Sequence, residues 1–124
     1  MDTMKAETRL APWMQEKMNE LLSHPAWNDS MTGFEADALL RTQQPFTYLL
    51  RQGERKDVFY LSFCTGTAVV HRPFSVDYAT YSWYYRNGFP QCRQVFKPDL
   101  KTFIPEIIQR EEAECLPLPP FINV

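Results

Sequence analysis

The chain has 124 residues, with 13 Lys and Arg against 15 Asp and Glu, a formal charge of −2. That is one domain's worth of sequence, long enough to bury a core without disulfides, and it lacks the excess of basic charge that grips DNA or RNA. No apolar run approaches the roughly 20 residues of a membrane span, and Met1-Asp2-Thr3-Met4-Lys5 holds no apolar core that would serve as a secretion signal.

Residues 1–9 are polar and read as a frayed end. Leu10, Trp13, Met14, Met18, Leu21 and Leu22 then fall on one helical stripe, and Pro12 and Pro25 suit the two ends of a helix over 11–23. The stripe packs on the rest of the chain or, as the alternative, docks another chain. Thr32-Gly33-Phe34-Glu35 has the form of a capping box and opens a helix from Gly33 to about Arg41. Three strands follow: Phe46–Arg51, Val58–Phe63 and Ala68–Arg72. Short loops join them, so an antiparallel meander is expected. Between 73 and 97 we expect one short strand near 82–86 inside an aromatic loop, with a turn at Asn87-Gly88. Leu100, Phe103, Ile104, Ile107 and Ile108 show helical spacing, with Pro98-Asp99 at the first turn. Pro105 lies inside that pattern and should kink the helix or delay its start. The tail from Cys115 to Phe121 reads as extended. The order is that of an α+β fold, a central antiparallel β-sheet flanked by two α-helices with an extra N-terminal helix.

The spacing of Cys64, Cys92 and Cys115 matches no zinc or redox motif. They read as buried or incidental thiols of a reducing compartment, which makes the expected location cytoplasmic. A cysteine nucleophile paired with His24 or His71 is the sharper alternative, and no motif surrounds it. There is no Gly-rich phosphate loop and no paired-carboxylate motif, so no enzyme, cofactor or metal is expected.

Arg51 is the informative residue. It ends the apolar run Tyr48-Leu49-Leu50, where its guanidinium is buried or half-buried and needs a partner. One reading is an internal ion pair with Asp or Glu. The other is an anion pocket, because the planar fork fits phosphate bidentately. The loop Gly53-Glu54-Arg55-Lys56 adds two cations and backbone amides, and His71 on the third strand would line the same pocket.

Trp27, Thr32, Glu35-Ala36-Asp37-Ala38-Leu39-Leu40, Pro45-Phe46-Thr47-Tyr48-Leu49-Leu50-Arg51, Tyr60-Leu61-Ser62-Phe63 and Val69-Val70-His71 occur in that order. Leu100, Phe103-Ile104, Ile107 and Cys115-Leu116-Pro117-Leu118 continue the series. Together they resemble the Src-homology-2 domain over residues 25–121, with 1–24 as an N-terminal helical extension and 25–124 as the domain. The resemblance implies a non-catalytic, monomeric module for tyrosine-phosphorylated proteins or peptides. Arg51 would grip the phosphate, His71 would shape the pocket, and Gly53, Glu54, Arg55, Lys56 and Tyr60 would complete it. Three positions depart from the family pattern. Gly33 stands where a second arginine is usual, Gly53 where a hydroxyl residue is usual, and Pro73 where a basic residue flanks the tyrosine ring. Arg55 or Lys56 would supply the lost charge. Arg72 reads as solvent-facing, with ligand contact as the alternative. Tyr81, Trp83, Tyr84 and Tyr85 form either an apolar clamp over the peptide or the underside of the core. With these departures, reduced sequence selectivity is expected. A domain of this fold that no longer binds phosphate is the alternative. The divergence is similar to that of Src-homology-2-like domains of bacterial effectors, which would place the chain in a host cell's cytosol.

Overall fold

The computed structural model describes residues 11–88 and 92–120. The expectations for residues 1–9, Leu10, Phe89 and Phe121 lie outside the described residues. Among the described residues there are three α-helices, α1 (Pro12–Leu22), α2 (Gly33–Leu40) and α3 (Leu100–Ile108). Six strands form one sheet: β1 (Thr47–Gln52), β2 (Phe59–Cys64), β3 (Val69–Asp77), β4 (Ser82–Arg86), β5 (Gln94–Lys97) and β6 (Leu116–Pro117). Their order is β5-β4-β3-β2-β1-β6. All neighbours are antiparallel except β6, which runs parallel to β1. The fold is α+β.

Side chains alternate across the sheet, and the register decides what each face carries. Arg51 lies opposite Tyr60, Tyr60 opposite Pro73, and Ser62 opposite His71. One face therefore holds Leu49, Arg51, Tyr60, Ser62, Cys64 and His71. Helix α2 covers part of it, where Ala36 and Leu40 bury against Leu49 and Cys64. The other face holds Tyr48, Leu50, Phe59, Leu61, Phe74 and Val76. Helices α1 and α3 cover it, and Met14, Leu21, Phe103, Ile104 and Ile107 join the larger core there. The apolar stripe of α1 thus packs on the chain itself, although Leu22 stays exposed.

Caps fix the helices. In α2 the Glu35 N–H donates to Thr32 Oγ1 at 3.1 Å, and the Thr32 N–H donates to Glu35 Oε1 at 2.9 Å. That box sets Gly33 at the first helical position. Asp99 caps α3 by accepting from the Thr102 N–H at 2.9 Å. Glu20 of α1 ties α3 down as well. Its carboxylate accepts from Trp83 Nε1 at 2.9 Å and from the Leu100 N–H at 2.5 Å. Lys17 donates to the Pro98 carbonyl beside it. Helix α3 starts at Leu100, so Pro105 does not delay it. The N–H that proline lacks would have met the carbonyl of Lys101, an exposed residue.

The strands differ from expectation at their ends. Phe46 has a φ of 70° and precedes β1 rather than starting it. Strand β2 is shifted by one residue, from Val58–Phe63 to Phe59–Cys64. Strand β3 begins at Val69 rather than Ala68 and runs through Pro73 to Asp77, well beyond the expected end at Arg72. The region expected to hold one strand holds two, and Asn87 N–H to Arg93 C=O at 2.6 Å closes the connection between them. Among the described residues no helix is long and apolar enough to cross a membrane.

Candidate anion-binding site

Arg51 is 7% exposed. Strand pairing and α2 hold it from three sides. Its Nε donates to Ser62 Oγ at 3.1 Å, its Nη2 donates to His71 Nδ1 at 3.3 Å, and its guanidinium lies 4.4 Å from the Tyr60 ring centre. Gly33 at the head of α2 closes the third side. A Cβ on that glycine would stand 3.1 Å from Arg51 Nη2. The helix start therefore approaches the guanidinium closely.

The hydrogen bonds also order the histidine. Ser62 accepts from Arg51 Nε, so its own proton goes to His71 Nδ1, 2.7 Å away. Two donors converge on Nδ1, which must be the acceptor, and the ring proton sits on Nε2. Nε2 faces Asp37 Oδ2 at 4.0 Å, and Asp37 is itself paired with Arg41. Burial is the main cause that lowers the His71 pKa, the Arg51 charge adds to it, and Asp37 opposes both. Burial likewise lowers the Arg51 pKa, against the pull of Tyr60 and Glu54.

No carboxylate among the described residues lies within 4.0 Å of the Arg51 guanidinium. The internal ion pair that sequence reading left open is not formed there. Nη1 has no hydrogen-bond partner among these residues, yet no buried side-chain nitrogen or oxygen lacks one. Nη1 therefore keeps contact with solvent, and the buried cation has one open edge.

The loop after β1 is tied back on itself. Gly53 N–H donates to Val58 C=O at 2.8 Å, and the Gln52 amide donates to the carbonyls of Arg55, Lys56 and Val58. A Cβ at Gly53 would sit 2.6 Å from the Val58 oxygen and 3.1 Å from Tyr60 Cε2. This closeness leaves no room for a side chain at position 53 unless the backbone or the Tyr60 ring shifts. The backbone amides of Glu54, Arg55 and Lys56 form no hydrogen bond among the described residues. The loop cations do not join the pocket. Arg55 is exposed and lies 3.8 Å from Asp57, and Lys56 lines an apolar groove with Met14, Met18, Phe59 and Val76 on the opposite face.

The aromatic segment is divided. Trp83 is fully buried and Tyr85 nearly so, in one core with Phe74 and Phe103. These two rings do not form a clamp over a peptide, because alternation along β4 aims them inward. Tyr84 faces the other way and packs on Phe96, with ring centres 4.7 Å apart. Tyr81 is exposed and leans on Trp13 of α1 at 4.7 Å. Arg72 lies across β3 from His71, on the face of α1 and α3.

Sequence reading missed Ser62, which joins Arg51 to His71. The signal was a lone serine facing inward within an otherwise apolar strand. It also passed over Asp37, which faces the histidine, and Phe34 lines the same cleft as His71 rather than an apolar face packed on the sheet. The three cysteines are free, with Cys64 and Cys115 buried and Cys92 exposed. Neither histidine bonds a cysteine among the described residues. His24 Nδ1 accepts from the Ala26 N–H at 3.0 Å, and His71 is bound as above.

A central sheet in this order, a helix on each face and an arginine buried on the second-from-edge strand β1 define the fold of a Src-homology-2 (SH2) domain, a class of non-catalytic binding modules. Among solved structures the chain is similar to the SH2 domain of the CRK/CRKL homologue of Monosiga brevicollis, determined in solution by NMR. The two share 17% identity over 82% of this chain and 89% of that one, with a TM-score of 0.54. At this identity the likeness is one of fold. No protein-family model matches the sequence, and no curated protein matches it.

Proposed function

We propose that the chain binds tyrosine-phosphorylated peptides or proteins and carries out no chemistry on them. One observation carries the reading: Arg51 is desolvated, oriented by two hydrogen bonds and a ring, unpaired with any described carboxylate, and open at Nη1. A buried cation with no internal counter-charge is costly unless an anion meets it. Phosphate suits the planar fork, and the free amides of residues 54–56 lie in the loop that follows. Arg55 and Lys56 stand apart, so among the described residues the pocket's hydrogen bonds orient the single cation Arg51. We infer modest affinity and reduced sequence selectivity, in a reducing, cytoplasmic setting.

A second reading, a domain of this fold that has lost phosphate binding, draws on Gly33, Gly53 and Pro73. Titrating a phosphotyrosine peptide library into the protein and its Arg51→Leu variant separates the two. Removing one partner of a buried charge pair typically costs about 2–5 kcal/mol, so Arg51→Leu should weaken binding at least 30-fold, by roughly the tenfold per 1.4 kcal/mol rule. Equal binding by both proteins rejects the first reading.

A further inference from the structure

Phe34 is 86% exposed. It is the second residue of α2, directly after the glycine that touches Arg51. At 3.6 residues per turn it stands roughly 200° around the helix from the buried Ala36, so it takes no part in the packing of α2 on the sheet. Among the described residues no aromatic ring pairs with it. Yet it does not face open solvent alone. Gly33, Phe34, Asp37, Ala38, Arg41 and His71 line a cleft of about 670 Å³. His71 in this cleft bonds Arg51 Nη2, and Gly33 leaves the space above that same atom clear of side chain. A bare phenyl ring thus shares a cleft with the histidine that bonds the buried cation.

Building on the phosphotyrosine reading, we propose that Phe34 is the ring-reading residue of this site: it stacks on the aromatic ring whose phosphate Arg51 holds. Neither Gly33 nor Pro73 supplies a cation to flank such a ring. A phenylalanine takes its place and grips by apolar contact rather than by charge. Aromatic pairs favour offset or edge contact with centroids about 4.5–7 Å apart, and the pairing adds to the area buried. Phosphoserine and free phosphate bring no ring and gain nothing from Phe34. The residue therefore makes the site prefer an aromatic phosphate over an aliphatic one.

The test titrates phenyl phosphate, inorganic phosphate, a phosphotyrosine peptide and its phosphoserine counterpart into four proteins by NMR or calorimetry. These are the unaltered chain and its Phe34→Ala, Phe34→Trp and Arg51→Leu variants. The readout is the ratio of affinities for phenyl phosphate and inorganic phosphate. Phe34→Ala should lower that ratio roughly tenfold, and Phe34→Trp should preserve it. The same change should appear in the ratio of phosphotyrosine to phosphoserine peptide. A ratio that Phe34→Ala leaves intact, while Arg51→Leu abolishes binding of both phosphates, overturns the role of Phe34 and leaves the anion pocket standing. Binding that survives Arg51→Leu, or an unaltered chain that binds neither phosphate, overturns the pocket and the inference with it.

Discussion

At the scale of single residues, Gly53 has a local cause. Gly53 bonds Val58 across the neck of a loop, and any Cβ there would stand 2.6 Å from the Val58 oxygen. Gly53→Ala must push that backbone away or displace the Tyr60 ring beneath Arg51. Overpacking of this kind typically costs about 1–3 kcal/mol. Urea unfolding should show a lower midpoint at an unchanged m-value, and a midpoint equal to that of the unaltered protein would refute the close approach. Much of the site could be read from sequence at this scale. Arg51 stood out because a charge ended an apolar run, and His71 because it fell on the neighbouring strand. Ser62 did not, since a serine carries the same weight in a pattern whether it bridges two groups or faces solvent. Arg55 and Lys56 misled, because nearness in sequence to Arg51 says nothing about which face of a turning loop they reach. Trp83 and Tyr85 were ambiguous as types and were settled only by alternation once β4 had its register.

At the scale of elements, α1 is fastened to the rest by Glu20. Its carboxylate serves the indole of Trp83, which is 0% exposed, and the first N–H of α3. Glu20→Ala strands the Trp83 indole donor and removes the acceptor of the first N–H of α3, although the Asp99 cap remains. An unsatisfied buried group costs about 1–3 kcal/mol. Chemical denaturation followed by tryptophan fluorescence should report the loss, and an unmoved midpoint would show that α1 is not anchored through this residue. Side chains of residues on both sides of the expected boundary at 24/25 share one core. The helices were legible because caps and 3–4 spacing are local signals. Strand β3 was expected to end at Arg72 but continues through Pro73, whose place opposite Tyr60 the sheet tolerates, to Asp77. Strand β5 was missed because only Val95 of its four residues is buried, which leaves no alternation to detect.

At the scale of the whole molecule, the two histidines set a common response to acid. His24 is held below its ordinary pKa by burial, against Glu20, and His71 by burial and then Arg51, against Asp37. Each ring accepts a hydrogen bond at Nδ1 and is neutral in the folded chain. The unfolded chain takes up protons from about pH 6.5 downward, where the folded chain resists them. Stability is therefore full above that value and is lost as pH falls toward the lowered folded pKa values. The urea midpoint should drop between pH 7.5 and 5.5, and His24→Gln should make that drop shallower. A slope unaffected by His24→Gln would remove His24 from the account. Glu35, held low chiefly by the Thr32 backbone N–H, and Asp99, held low chiefly by the Thr102 side chain, act with the same sign in a more acidic range.

Pro73 has a consequence at this scale too. Cys64 turns its carbonyl to Phe46, and alternation along β2 makes Tyr60, four residues earlier, turn its backbone groups to β1 as well. Opposite Tyr60, the nitrogen of Pro73 thus points away from β2. Strand β4 pairs with β3 only from Ser75 onward, so that nitrogen faces an unpaired border of the sheet. At position 73 an arriving strand meets no N–H, so a ladder built on Val69 and His71 stops there. The residue that departs from the ring-flanking pattern thereby shortens the stretch of that border on which another strand could pair.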